Sequence, residues 1–490
     1  MRPWLRYALL ALVAAGLSGF TILRGVNPHD EGLMLQAAAR VVHGQLPYQD
    51  FWWNYGPGQP LLLAGLQEVF GPSLLAWRIL RVALDALSSV LVYALARREG
   101  ATQPVAIGAW IAAATALAWP LTPNPNSTVL ALALGAIVLA PRWPLRAGLL
   151  GGLAVCFRPD MGLAAAAGAL LAAIASGRRA VLAATAGATV AAGASLLPFV
   201  FAGGPGRFLD QTAGFALHQQ SLQRLPLPGA WNGGLHLSPL FDFYFPYVLI
   251  GGLALWLLVA ALERPTLSTL APLPLTLVGL LYLLARVDEF HLIPLTALLP
   301  LPLAVGIARA RRTAAAIALA LPLVLIALHG LNERRIQAFS PPTLVRLRLD
   351  VADGVRARPA DAASLVRVVH YVRRRVEPGQ PVFVANPRHD LVRVGDPLLY
   401  VLLQRPNPTR YDVMQPGVIT ERKTQRGIVA SLQRARPKVV VRWLSPLADQ
   451  REPNGSGRSS GVHVLDGYLA NVYRPLRRFG DYLVLARRPP

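Results

Sequence analysis

Asp30 and Glu31 stand side by side in "NPHDEG" (27–32), just after an apolar stretch that begins near Leu5. Carboxylates at the point where a chain leaves a bilayer are costly unless they are paired or face a wet cavity. In the first turn of a helix the dipole keeps a carboxylate ionised and ready to accept a proton. The same position suits a plain helix cap, so both roles stay open. Two further clusters could do chemistry. "FRPDMG" (157–162) sets Arg158 two residues before Asp160, and "ARVDEFHLIP" (285–294) gathers Arg286, Asp288 and His291. An arginine fork donates two parallel hydrogen bonds to a phosphate or a carboxylate. Each cluster could equally be a local ion pair. Taken together, these side chains could transfer a proton beside a bound anion.

The elements that must position them are membrane helices. The 490 residues are 54% hydrophobic and 15% charged, with mean hydropathy +0.42, a composition that suits a polytopic membrane protein. Crossing about 30 Å of hydrocarbon takes roughly 20 apolar residues. The hydropathy predicts eleven spans, at 5–23, 74–96, 103–121, 126–140, 145–157, 161–176, 179–202, 245–262, 267–285, 291–308 and 313–330. The pair flanking "RPD" is expected to be two short helices meeting inside the protein. The first span is expected to stay uncleaved, because no small-residue cleavage site follows it.

Arginines orient these spans. With the N-terminus inside, Arg2, Arg6, Arg97, Arg98, Arg142, Arg146, Arg178, Arg179, Arg264, Arg309, Arg311 and Arg312 all fall on short inner connections, as the positive-inside bias requires. The acids then collect outside: Asp30, Glu31, Asp50, Asp160, Asp210, Asp242, Asp288 and Glu289, together with His29, His218 and His291. Any chemistry is therefore expected at the outer, extracytoplasmic face. Two outer loops are long, 24–73 and 203–244. The first holds two amphipathic helices by its apolar spacing, one from about Leu33 ended by Gly44 and Pro47, the other from Pro60 to Phe70.

Residues 331–490 hold no further span. Helical spacing over 364–376 and 421–435 alternates with β-rich runs at 381–386, 438–443 and 482–487, which predicts a small extracytoplasmic α/β domain. "EPNGSGRSSG" (452–461) reads as a flexible loop. The net charge of +23 divides between membrane flanks and this domain without a base-reading motif. That excludes nucleic acid as the expected partner and favours membrane lipids or lipid phosphates. Cys156 is the only cysteine, so no internal disulfide can form. Arginine far outnumbers lysine, as in a GC-rich bacterial genome.

"HDEG" after the first span, a surface helix, then "GQLPYQDF" and "YGPG" resemble the first outer loop of GT-C glycosyltransferases. The similarity is to their protein O-mannosyltransferase and aminoarabinose transferase branch. It extends over 1–330 and includes "FRPDMG" and "ARVDEFHLIP". The resemblance implies a GT-C-like membrane domain that takes a sugar from a polyprenyl-phosphate carrier. The sugar would pass to a glycan, lipid or protein acceptor in the cell envelope, with inversion. It implies Asp30 as general base with Glu31 assisting. Tyr55, Arg158, Asp160, Arg286, Asp288 and His291 would bind the substrates, and Arg24 and Arg40 are further candidate cations. "YGPG" replaces the two prolines of many relatives. No metal-site spacing is present, so a divalent cation is neither called for nor excluded.

Other readings of individual residues compete with this one. Trp52, Trp53 and Tyr55 suit an aromatic membrane belt as well as a sugar-stacking surface. Asp85, inside a span, is read as neutralised by Arg81 and Arg78. A transporter or flippase of lipid-linked or anionic solutes fits the many spans and these intramembrane charges. Against it, the acids cluster at one face and no internal repeat is visible.

Overall fold

The computed structural model describes residues 2–118, 124–233, 237–263, 266–267 and 269–489, so His236 and Arg264 lie outside it. Helices cover most of each predicted span among the described residues; 119–121 lie outside them, and 291–308 is divided between two helices. Five helices are long and apolar enough to cross a membrane: Leu74–Arg98, Arg178–Gly203, Ser238–Glu263, Glu289–Arg309 and Thr313–Phe339. Shorter apolar helices of 10–17 residues accompany them. The Glu289–Arg309 segment is broken into Glu289–Leu298 and Pro300–Arg309, because Pro300 has no N–H for a helical hydrogen bond.

Two helix breaks matter for the site. Pro144–Phe157 and Pro159–Ile174 meet at Arg158, whose backbone is extended (φ −144°, ψ 105°). A residue before proline is pushed out of the helical region, so "RPD" interrupts the helix at Arg158, whose side chain reaches Asp160 and Asn126. Likewise Arg286 is extended (φ −158°, ψ 113°) at the end of Leu273–Ala285. Asp288 then caps the next helix by accepting from the His291 N–H.

The first long loop, 24–73, folds as anticipated into helices Asp30–Val42 and Gly58–Phe70. The former does not lie on a lipid surface. Leu33, Met34, Leu35, Ala37 and Ala38 are all buried, and they share one core with Leu398, Tyr400, Val368 and Val441 of the tail domain. The approach is close enough that a Cβ on Gly32 would lie 2.0 Å from the Leu398 backbone N. Polar ties reinforce this core: the Leu398 N–H donates to the Pro28 carbonyl, and Arg40 Nε lies 2.5 Å from Asp412 Oδ2. First loop and tail domain thus sit on the same side of the helix bundle.

The tail domain is a four-stranded sheet in the order Val382–Ala385, Val439–Trp443, Tyr482–Arg487, Tyr473–Phe479. The first pair is parallel and the others antiparallel. Helices Pro359–Arg373 and Arg422–Ala435 match the sequence expectation. Leu398–Leu403, Val464–Val472 and the strand Tyr473–Phe479 were not anticipated. The second long loop, 203–244, is helical over Pro205–Leu209, a π turn at Asp210–Gly214 and Phe215–Gln223. It lies as a strap between the bundle and the tail domain.

Candidate active site

A cavity of about 740 Å³ opens where the first loop, the strap, two helix breaks and the tail domain meet. Its volume suits a sizeable small-molecule ligand. Asp30, Tyr55, Arg158, Asp160, Arg286, Asp288 and His291 all line it. Phe208, Phe215, Val278, Leu281 and Phe290 make its apolar wall.

Local hydrogen bonds fix Asp30. Asn27 Oδ1 accepts from the N–H groups of His29 (3.1 Å) and Asp30 (2.9 Å), capping the helix. Asn27 Nδ2 donates to Asp30 Oδ2 at 3.2 Å. Asp30 is half-buried and forms no salt bridge among the described residues. The other cavity carboxylates are ion-paired. Asp160 is held by Arg158 (Nη2 to Oδ2, 2.5 Å). Asp288 is held by Arg286 (2.6 Å) and by His291 Nδ1 (2.6 Å). Burial alone would raise the Asp288 carboxyl, but the His291 and Arg286 contacts prevail and hold it at about 2.

Arg158 is buried. It donates through Nη1 to Asn126 Oδ1 (2.6 Å), and its guanidinium lies 4.4 Å from the centre of the Tyr282 ring. Burial works against its charge, and the Asp160 carboxylate more than restores it. Tyr55 is near enough to feel Arg158, Asp30 and Asp160, yet burial dominates and pushes its phenol up to about 12. It stays a neutral hydrogen-bonding group.

Glu31 lies elsewhere. Its side chain is fully buried and does not line the cavity. Arg78 holds it in a fork, Nε to Oε1 at 2.7 Å and Nη2 to Oε2 at 2.8 Å, and Trp77 Nε1 donates to Oε1 at 3.2 Å. Arg78 therefore pairs with Glu31 and not with Asp85. Asp85 is held by Arg81 (3.3 Å), Ser18 and Ser127. Arg40 is spent on Asp412, and Arg24 donates to the Gln337 carbonyl. Trp53 is a core residue whose Nε1 donates to the Gly56 carbonyl, neither belt nor stacking surface.

The tail domain supplies lining that the sequence did not reveal: Arg393, Gln415 and Glu452. Gln415 Nε2 lies 2.7 Å from His29 Nε2, an arrangement suited to a neutral imidazole acceptor. Burial lowers the His29 imidazole from its ordinary value, with the Asp30 charge opposing. "YGPG" packs against the "FRPD" break: a Cβ on Gly56 would lie 1.9 Å from the Cys156 carbonyl oxygen. Among the described residues, one group, Asp390, His463 and Asp466, could hold a metal ion. None of the three lines the cavity, and both carboxylates already have partners in Arg388 and His389.

No protein-family model matches the sequence, and no curated protein sequence does either. Comparison with solved structures decides the fold. ArnT from Cupriavidus metallidurans in the apo state is similar with a TM-score of 0.57 and 14% identity, covering 99% of both chains. The chain has the ArnT fold. A second ArnT structure, bound to undecaprenyl phosphate, is similar with a TM-score of 0.55 and 13% identity, again over 99% of both chains. The similarity to ArnT spans membrane helices and tail domain alike.

Proposed function

We propose that this protein is a membrane glycosyltransferase that moves a sugar from a polyprenyl-phosphate carrier to an acceptor hydroxyl on the extracytoplasmic face, with inversion. One observation carries the reading. Asp30 is the cavity carboxylate without a cationic partner among the described residues, and it shares that cavity with Arg158 and Arg286. The ArnT fold, in a protein crystallised with undecaprenyl phosphate, supports the same class of carrier here.

In this mechanism Asp30 takes the proton of the acceptor hydroxyl as its oxygen attacks the anomeric carbon. The bond from that carbon to the phosphate oxygen breaks on the opposite side, so the configuration inverts. Proton transfer to a placed base contributes typically 10²–10⁴-fold. Negative charge develops on the departing lipid phosphate, where fixed cations lower the barrier. Arg158 and Arg286 serve there, and His291 stands beside them as a further hydrogen-bonding group. Asp160 and Asp288 hold the two arginines in place, and Tyr55 offers a neutral hydroxyl to the sugar. Glu31 positions Asp30 by anchoring the first loop to Arg78 and takes no proton. Residues 1–330 act as the catalytic domain and 331–490 as the extracytoplasmic cover that closes the cavity. The apolar strap side chains suit the first isoprene units of the carrier.

The test is incubation of purified protein with candidate polyprenyl-phosphate sugars, followed by assay of released polyprenyl phosphate. Release above the no-enzyme rate supports the reading. Neither release nor binding with any donor would overturn it.

A further inference from the structure

Glu452 belongs to the "EPNGSGRSSG" loop of the tail domain, and its carboxylate lines the cavity. Arg286 grips it as a fork, Nη1 to Oε2 at 2.8 Å and Nη2 to Oε1 at 2.6 Å. Arg393 Nε lies 3.0 Å from Oε1, and Asn454 Nδ2 donates to Oε2 at 3.1 Å. Two guanidiniums therefore converge on one small anion at a cavity wall. Their geometry serves a phosphate as well as a carboxylate.

The two arginines come from different parts of the chain. Arg286 lies at a helix break of the bundle, and Arg393 lies in the tail domain. The strap ends at the same point, where Arg286 Nη1 also donates to the Gln223 carbonyl at 3.0 Å. The loop behind Glu452 is rich in glycine and serine, with Arg451 and Arg458 exposed on either side. None of its residues belongs to a buried hydrophobic core, so its displacement would break polar contacts alone, those of Ser459 and Ser460 with Asp390 and Thr420 among them.

We propose that Arg286 and Arg393 form a seat for the carrier lipid's phosphate, and that the chain's own Glu452 occupies this seat until the donor displaces it. The inference rests on the glycosyltransferase reading and adds to it a further cation, Arg393, and an internal competitor. No covalent bond changes in the exchange: the Glu452 carboxylate passes to water and phosphate oxygens take its hydrogen bonds. A seat that is latched about nine-tenths of the time binds its ligand about tenfold more weakly than an open one.

The experiment measures binding of a polyprenyl phosphate to full-length protein in lipid nanodiscs. Glu452→Gln keeps the shape and removes the competing charge, so it should bind about tenfold more tightly than wild type. Arg393→Gln combined with Glu452→Gln should lose most of that gain. Wild-type binding with no gain in Glu452→Gln would overturn this inference and leave the glycosyltransferase reading standing, whereas absence of wild-type binding would count against that reading itself. Inorganic phosphate competing as well as the lipid would assign the seat to free phosphate and overturn the lipid assignment. A second measurement needs no variant: polyprenyl phosphate should speed trypsin cleavage after Arg458 in wild type. Unchanged or slower cleavage would contradict the displacement.

Discussion

Glu31 and Arg78 form a closed pair, fork to fork, in which both side chains are fully buried. The two remaining Arg78 contacts go to the Ile22 (2.5 Å) and Gly25 (3.0 Å) carbonyls. Glu31 is thereby the anchor of the turn that ends in Asp30, and the neighbouring carboxylates divide the work. One holds the loop; the other faces the cavity.

Removing one partner of a buried pair strands the other charge, which costs about 3–5 kcal/mol. Glu31→Ala should therefore lower the midpoint of thermal unfolding in detergent far more than Asp30→Ala. Equal effects of the two substitutions would remove this division of roles. Replacing both partners, Glu31→Leu with Arg78→Met, should recover most of the lost stability.

Arg158→Lys keeps a positive charge but loses the planar fork that grips Asp160 and Asn126. A charge-assisted hydrogen bond contributes about 1.5–3 kcal/mol, so kcat/KM should fall about 10–100-fold. Folding, followed by size-exclusion profile, should be unchanged. Wild-type kinetics in this variant would mean that Arg158 does not touch the reacting phosphate.

Gly32 marks the closest approach of the first loop to the tail domain. Gly32→Ala should cost at least about 1–3 kcal/mol of overpacking. It should also speed hydrogen exchange in helix Leu398–Leu403, whose N-terminus it would displace. Unaltered exchange there would show that the contact tolerates a methyl group.

Asp396 is buried in the tail domain, where it accepts from Tyr482 Oη (2.8 Å) and from the Leu399 N–H (3.1 Å). Burial raises its carboxyl to about 7, with those hydrogen bonds opposing. A folded value above the unfolded one contributes stability at acid pH that is lost as pH rises through about 7. The shift corresponds to roughly 4 kcal/mol. Asp396→Asn should flatten tail-domain stability between about pH 4 and 7 and leave the variant more stable than wild type at pH 8. A wild-type slope in the variant would assign the titration to another group.

The sequence made the apolar helices and the two first-loop helices legible, because period and hydropathy are local. "RPD" announced the helix break, and the extended arginine follows from the proline after it. The roles of Asp30 and Glu31 could not be separated, since the deciding partner, Arg78, lies a whole element away. Arg393, Gln415 and Glu452 carried no local mark, because their place depends on how the tail domain docks onto the first loop. Strand Tyr473–Phe479, "YRPLRRF", hid behind its charges and an interior proline, which its ladder accommodates by a register shift between Pro475 and Arg477. Helix Leu398–Leu403 was too short and too uniformly apolar to show a period.

The most direct measurement is single-turnover release of polyprenyl phosphate by wild type and Asp30→Asn, with donor binding followed in parallel. Wild type should release the carrier, and Asp30→Asn should bind donor equally while releasing it about 10²–10⁴-fold more slowly. Release by Asp30→Asn at the wild-type rate would show that Asp30 is not the base.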